Sequence, residues 1–252
     1  MTFAPVGIRC PEHANVGAVR QSPQRTLQNI ERATRTMQAP ATIVLIALNV
    51  AVFMVTAYQG GLLATDNRHG LMAKWDLWVG PIVVNDEWWR LITSTFLHGG
   101  LVHIALNMVG LYWLGTIIEQ ALGTTRFLLV YFVSGLAGSA AALWMDPLSP
   151  TVGASGAIFG LIGALLILEY LSTGSLMGQA MVLILVNLAL TFAVPGISIG
   201  GHIGGLAGGI GATYALMRFR MPPNRALGFA LAAGVGVASV LLAYVRVRGY
   251  GV

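Results

Sequence analysis

Three apolar stretches of the sequence each carry a polar side chain that could take part in acyl transfer. Ser155 lies in GASG, His202 lies in GGHIGG, and His103 and Asn107 stand at the two ends of HIALN. A serine hydroxyl is a weak nucleophile until a base takes its proton, and a neutral imidazole suits that task near pH 7. The Asn107 amide, the His103 ring and the Ser155 backbone N–H at a helix start could then donate hydrogen bonds to the oxyanion of the reaction.

Each of these features also has a structural interpretation when it is taken alone. GASG is typical of small residues at a helix–helix contact, His202 could serve packing, and Asn107 could make an interhelical hydrogen bond. No Asp or Glu lies close to His202 in the sequence, which favours a Ser-His dyad over a triad. Ala157 stands where a G-x-S-x-G elbow requires glycine, so the fold of the soluble α/β-hydrolases is excluded.

The composition indicates a membrane protein. Of the 252 residues, 56% are hydrophobic and only 9% are charged, whereas soluble domains carry about 25% charged residues. A helix of about 20 apolar residues crosses a bilayer, and in lipid it satisfies its own backbone hydrogen bonds. The uncharged stretches therefore predict an all-α polytopic membrane protein with about seven spans. The predicted spans lie near 41–58, 101–119, 126–145, 155–171, 177–194, 202–218 and 226–245.

The predicted topology places the polar side chains at one depth. Alternate spans run in the same direction, so the second, fourth and sixth spans begin at the same membrane surface. His103, Asn107, Ser155 and His202 stand at or near those starts, and scattered packing residues would have no reason to share a level. Taken together, these positions favour an active site over packing alone.

Glycines predict how the fourth and sixth spans approach each other. Gly205 and Gly209 follow His202 at positions that share one face of a helix. A second glycine stripe, which includes Gly156, offers a matching smooth face on the fourth span, and such faces allow close helix packing. We expect this contact to bring Ser155 within hydrogen-bonding distance of His202.

Basic residues indicate the orientation of the chain. With the N-terminus inside, nine Arg and Lys residues lie in inner segments and five lie in outer segments, which agrees with the positive-inside rule. We therefore expect a cytoplasmic N-terminus, a location in the cell membrane and an active site near the outer leaflet. In this class of protein the net charge of +5 reports orientation and implies no nucleic-acid partner.

Two segments outside the spans differ from ordinary connections. We expect residues 1–39 to form a flexible cytoplasmic tail, in which Cys10 and His13 are too few ligands for a structural zinc site. The loop from about residue 59 to 100 is much longer than the usual helix connection of two to eight residues. Four of the six tryptophans lie in this loop. Because indoles gather at headgroup level, we expect the loop to lie in the membrane interface.

Three motifs of this sequence resemble those of a known family, the rhomboid intramembrane serine proteases. They are EWWRLITSTFLHGGLVHIALN (87–107), GASGAIFG (153–160) and GGHIGGLAGG (200–209). The resemblance extends over roughly residues 41–219. It implies a six-helix catalytic core, here 40–220, followed by an extra C-terminal transmembrane helix and a short tail in 221–252. It also implies Ser155 as the nucleophile and His202 as the general base.

The resemblance gives supporting roles to further residues. His103 and Asn107 match the family's oxyanion-stabilising pair, with Gly153 beside them. Phe159 falls where the family has an aromatic ring stacked on the base histidine, often a tyrosine. The other matches are the Trp-Arg pair of a membrane-lying first loop and two glycines that join helices: Trp89, Arg90, Gly205 and Gly209.

The family's substrates are single-pass membrane proteins, cut in or near the outer end of the spanning helix. The resemblance thus implies a serine endopeptidase that works in the lipid bilayer with neither a metal nor an organic cofactor, and it implies no particular oligomeric state. We expect substrate to enter laterally beside the span at 177–194. One alternative is a catalytically silent rhomboid-like protein that binds client membrane proteins. Another is a small transporter or channel, which would place charged groups nearer mid-membrane.

Overall fold

The protein forms two compact units, residues 1–38 and residues 39–252. In the first unit, β1 (Thr2–Ala4) pairs antiparallel with β2 (Gly7–Arg9). The rest of the predicted tail, including Cys10 and His13, lies outside the described residues. The structure is a computed structural model, and the segments that it describes are 2–4, 7–9, 39–60 and 70–250.

The described part of the second unit is built from helices, which confirms the predicted all-α polytopic architecture. Seven of these helices correspond to the seven predicted spans, and three short ones lie in the long loop after the first span. A single 3₁₀ turn, Ser94–Phe96, follows the last of the short helices. In chain order the helices are α1 (Pro40–Gly60), α2 (Gly70–Trp75), α3 (Val79–Asn85), α4 (Arg90–Thr93), α5 (Leu101–Leu122), α6 (Thr124–Met145), α7 (Ser155–Thr173), α8 (Gln179–Ala193), α9 (Ile199–Arg218) and α10 (Arg225–Arg248).

Among the described residues, five helices are long and apolar enough to cross a membrane by length and composition: α1, α5, α6, α7 and α10. Helix α8 has 15 residues and is shorter than the usual span. Helix α9 has 20 residues, but seven of them are glycine, which adds little hydropathy. Both helices nevertheless pack against the long ones, so composition alone understates their place in the bundle.

Helix α9 lies in the centre of the bundle because its glycines allow two neighbours to approach it closely. On one face, a Cβ added at Gly205 would overlap the carbonyl oxygen of Gly156 on α7. A Cβ at Gly209 would overlap the carbonyl oxygen of Gly160 in the same way. On another face, a Cβ at Gly204 would overlap the backbone of α6. Contacts of backbone against backbone therefore fix how deep α9 sits between α6 and α7.

The first loop, of which residues 70–100 are described, is held together by the buried guanidinium of Arg90. Its Nη1 donates to the carbonyl oxygen of Asp76 at 2.7 Å and to the Asp76 carboxylate at 2.6 Å. Its Nη2 donates to the carbonyl oxygen of Ala73 at 2.9 Å, and its Nε donates to Glu87 at 2.6 Å. One side chain thus joins α2, the segment after it and the start of α4. The neighbouring Trp89 is half exposed on the surface of the loop.

The first loop is also attached to the chain that leads into α7. Leu77 and Thr151 form an antiparallel bridge, with N–H···O distances of 3.0 and 2.8 Å. The backbone N–H of Gly153 donates to the carbonyl oxygen of Ser94 at 2.9 Å. Because Gly153 stands two residues before the start of α7, these bonds fix the position at which that helix begins.

Helix α10 packs along α6 and reaches the first loop at one end. The indole N–H of Trp144 donates to the carbonyl oxygen of Leu242 at 3.0 Å. Arg246 donates in the opposite sense, to the carbonyl oxygen of Leu143 at 3.3 Å. The rings of Trp88 in the first loop and Tyr244 on α10 lie 5.7 Å apart. The last helix therefore supports the loop and the C-terminal end of α6 together.

Candidate active site

Ser155 and His202 form a direct hydrogen bond, with 2.8 Å between Ser155 Oγ and His202 Nε2. Ser155 is the first residue of α7, and His202 lies in the first turn of α9. The first turn of α9 is capped by Ser198, whose hydroxyl accepts from the N–H of Gly201. The close glycine contact between α7 and α9 is what brings the two side chains within reach of each other.

The imidazole of His202 is held by contacts on its face and on its second nitrogen. Phe159, one turn after Ser155 on α7, stacks on the ring with 4.0 Å between centroids and 19° between planes. The hydroxyl of Thr191 on α8 lies 2.7 Å from His202 Nδ1. His202 is 7% exposed, so these contacts leave the ring little freedom to rotate.

His103 and Asn107 lie beside Gly153, just ahead of Ser155. Gly153 has φ +124°, and a Cβ at this position would stand 2.8 Å from His103 Nε2 and 3.7 Å from Asn107 Nδ2. The site therefore needs glycine here, because a side chain would fill the space between the loop and both polar groups. The N–H of Gly153 donates to the carbonyl oxygen of Ser94 in the first loop, so it is already committed to another acceptor.

Both polar groups are able to donate a hydrogen bond into this space. The N–H of Gly99 donates to His103 Nδ1 at 3.3 Å, so the proton of the neutral ring resides on Nε2. Asn107 is 7% exposed, and its buried Nδ2 has no hydrogen-bond partner among the described residues. The N–H of Ser155, as the first residue of α7, has no intrahelical partner either. A carbonyl attacked by Ser155 forms an oxyanion that needs hydrogen-bond donors of this kind.

The sequence prediction did not include His98 or Thr191. His98 is almost fully buried, and its ring meets that of His103 edge to face at 5.1 Å. Burial, together with the smaller effect of the neighbouring His103, lowers the pKa of His98 to about 3, so the ring is neutral near pH 7. The repeated histidine in HGGLVH was a usable signal for this contact. The sequence held no such signal for Thr191, because its contact with His202 depends on how two helices pack.

The structure brings the other predicted residues to the site or to its supports. Gly205 and Gly209 form the contact surface of α9 with α7, and Phe159 covers the ring of His202. Trp89 and Arg90 lie in the first loop, where Arg90 organises the backbone and the Trp89 indole N–H is 3.5 Å from the carbonyl oxygen of Lys74. Neither contacts Ser155 in the hydrogen bonds of the described residues; both belong to the loop whose Ser94 carbonyl accepts from Gly153.

This combination defines a class of polytopic membrane protein, in which the starts of three helices meet around a serine and a histidine. Residues 85–219, more than half of the chain, match the family model of the Rhomboid domain. The protein belongs to the rhomboid family.

Curated relatives show the same likeness. The chain is 38% identical to rhomboid protease GluP of Bacillus subtilis over 179 residues, which are 69% of this chain and 34% of GluP. It is 37% identical to RHOMBOID-like protein 4 of Arabidopsis thaliana over 146 residues, which are 55% of this chain and 36% of that protein. It is 35% identical to RHOMBOID-like protein 1 of the same plant over 137 residues, or 52% of this chain and 35% of that protein. The chain thus spans about a third of the length of these relatives.

Proposed function

We propose that this protein is an intramembrane serine endopeptidase, with Ser155 as the nucleophile and His202 as the general base. The observation that supports this most directly is the distance of 2.8 Å between Ser155 Oγ and His202 Nε2. A hydroxyl and an imidazole in this arrangement are the minimum equipment for nucleophilic catalysis. The name of the relative GluP, a rhomboid protease, supports the same reaction.

The reaction follows from the positions of the donors and acceptors. Ser155 Oγ attacks the carbonyl carbon of a peptide bond while its proton passes to His202 Nε2. The carbonyl oxygen becomes an oxyanion and accepts hydrogen bonds from Asn107 Nδ2, His103 Nε2–H and the N–H of Ser155. When the C–N bond breaks, His202 returns the proton to the leaving amine. Water then attacks the acyl-enzyme with His202 again as base, which releases the acid and restores Ser155.

We further propose that the substrates are single-pass membrane proteins, cut in or near the outer end of their spanning helix. The protein would reside in the cell membrane with its N-terminus in the cytoplasm, residues 40–220 as catalytic core and residues 221–252 as an added helix and tail. Ser155 and His202 both stand in the first turn of their helices. A site at helix starts lies close to a membrane surface, so water has a short path to the acyl-enzyme.

Cleavage of tagged single-pass substrates in liposomes tests the proposal. Wild-type protein is expected to produce two fragments, and Ser155→Ala and His202→Ala are each expected to abolish them, because residual catalysis without either group is slower by several orders of magnitude. Ser172→Ala is the matched control, since Ser172 lies exposed near the other end of α7 and its hydroxyl donates to the carbonyl oxygen of Glu169 of the same helix. It is expected to cleave at the wild-type rate.

Two results would contradict the proposal. Undiminished cleavage by Ser155→Ala would show that another group is the nucleophile. A wild-type protein that captures the substrate and leaves it intact, and that does not react with a fluorophosphonate, would indicate a client-binding protein without catalysis.

A further inference from the structure

The buried hydroxyl of Thr191 occupies the position that a carboxylate has in a catalytic triad. Its Oγ1 lies 2.7 Å from His202 Nδ1, on the opposite side of the ring from Ser155. Thr191 is 2% exposed and comes from α8, a helix that contributes none of the other residues of the site. The hydrogen-bonded chain therefore runs from Ser155 through His202 to Thr191.

The direction of these hydrogen bonds can be assigned from a second contact. Thr191 Oγ1 is also 2.7 Å from the carbonyl oxygen of Asn187, one turn earlier on α8. A carbonyl oxygen can only accept, and a hydroxyl has one proton, so that proton lies between Thr191 and Asn187. The free lone pair of Oγ1 then faces His202 and accepts from Nδ1–H. In the neutral ring this leaves the lone pair of Nε2 directed at Ser155.

We infer that Thr191 is a positioning residue that holds His202 in the Nδ1–H tautomer, so that Nε2 is free to take the proton of Ser155. The inference rests on the proposed function, because it concerns the base of the same reaction. When Nε2 takes the proton, the ring becomes an imidazolium that keeps its Nδ1–H donated to Thr191. No proton moves to Thr191, whose own hydroxyl proton stays on Oγ1 and remains donated to the carbonyl oxygen of Asn187.

An uncharged acceptor suits this location better than a carboxylate would. A carboxylate placed between two membrane helices would be costly to bury, whereas a threonine hydroxyl satisfied by its own helix is not. The buried residues of α8 are Ala180, Ile184 and Thr191. The one polar side chain among them contacts the base, so the orientation of His202 depends on how α8 is seated.

The test compares Thr191→Val with Thr191→Ser in the whole 252-residue chain. Valine keeps the shape and removes the acceptor, and serine restores it. We expect Thr191→Val to lower kcat about 10- to 100-fold, the usual effect of leaving a buried donor without its acceptor. KM should change little, because the bond is made by the base and not by the substrate. Thr191→Ser should recover most of the rate.

Labelling of Ser155 by a fluorophosphonate gives a second readout that needs no peptide substrate. Its rate in Thr191→Val should fall by the same factor as kcat. Thr213→Val is the matched control, since Thr213 is buried on α9 and its hydroxyl has no hydrogen-bond partner among the described residues. All rates are expressed per monodisperse protein, so that a loss of folded material does not count as a loss of activity.

Three results would overturn the role of Thr191. The first is a wild-type kcat in Thr191→Val. The second is an equal loss of kcat in Thr191→Val and Thr191→Ser, and the third is an equal loss of kcat in Thr213→Val. The second and third outcomes would indicate an effect of packing alone. If wild-type protein cleaves, Ser155→Ala does not and Thr191→Val matches wild type, the proposed function stands without Thr191. A wild-type protein that neither cleaves nor labels would overturn both.

Discussion

His103 and His202 each have one ring nitrogen committed to a fixed hydrogen bond, and that bond decides what the other nitrogen can do. His103 Nδ1 accepts from the N–H of Gly99, which makes Nε2 a donor beside Gly153. His202 Nδ1 donates to Thr191, which makes Nε2 an acceptor beside Ser155. Two identical side chains thus obtain opposite hydrogen-bonding roles from their neighbours, which suit the proposed oxyanion donor His103 and the proposed base His202.

The neutral state of His98 predicts a pH dependence of stability. Burial, together with the smaller effect of the neighbouring His103, lowers its pKa from 6.5 to about 3 in the folded protein. Between these values the unfolded chain binds a proton that the folded protein does not, so stability falls as the pH drops from about 6.5 toward 3. The loss attributable to His98 is at most about 1.4 kcal/mol per pH unit.

His98→Gln separates this effect from other titrations. At pH 7 the variant should have a lower Tm than wild type, because the edge-to-face contact with His103 is lost. At pH 4.5 the difference should narrow or reverse, since glutamine has no proton to bind. Thermal unfolding in detergent at the two pH values measures this. A Tm difference that is the same at both would mean that His98 is not the titrating group.

At the scale of elements, the contact between α7 and α9 is one of the closest among the described helices. It places backbone against backbone at Gly205 and Gly209, while His202 one turn earlier meets Ser155. Any residue that widens this contact also separates Ser155 from His202. We therefore expect packing and the proposed catalysis to depend on the same glycines.

Gly205→Ala tests this dependence. A Cβ would overlap the Gly156 carbonyl, so we expect a loss of about 1–3 kcal/mol in the free energy of unfolding. Misplacement of reacting groups by about 1 Å can cost about 100-fold in rate, so kcat should fall by a similar factor. The measurement pairs a thermal melt with the cleavage rate per folded protein.

Gly211→Ala on the same helix is the control. Its added Cβ would stand 3.6 Å from the nearest atom, a side-chain carbon of Val235, which is an ordinary contact. Alanine also favours a helix over glycine by about 1 kcal/mol, so this variant should be as stable as wild type or more so. Equal effects of Gly205→Ala and Gly211→Ala would mean that the close contact does not limit the site.

Sequence patterns predicted these elements well where a single physical rule governs them. The spans were predicted within a few residues, because lipid demands long apolar helices and charges mark where they end. The short helices around Arg90 were not predicted, since they depend on a guanidinium that joins segments distant in the chain. Thr191 was not predicted for a similar reason: one threonine in an apolar run becomes part of the site only when α8 and α9 are packed.

At the scale of the whole molecule, a buried carboxylate joins several helices at the end of the bundle away from Ser155. Glu119, near the C-terminal end of α5, is 2% exposed. Its carboxylate accepts from the N–H groups of Ala41 and Thr42 at 3.1 and 2.8 Å, which caps the start of α1. It also accepts from the hydroxyls of Thr42 and Thr124, each at 2.8 Å. One side chain thus holds α1, α5 and the start of α6 together.

Glu119 lies at the other end of the bundle from Ser155, so we expect that its substitution changes stability without changing the chemistry. In Glu119→Gln one carboxylate oxygen becomes an NH₂ group that faces donors, so at least one buried donor loses its acceptor. We expect the free energy of unfolding to fall by about 2–3 kcal/mol, while kcat per folded protein at low temperature stays at the wild-type value. Glu169→Gln provides the comparison, because Glu169 is only half-buried and accepts from one backbone N–H, that of Ala180 at 3.0 Å. The free energy of unfolding should fall less in Glu169→Gln than in Glu119→Gln. If Glu119→Gln lowers kcat and leaves Tm unchanged, stability and chemistry are not separable in this way.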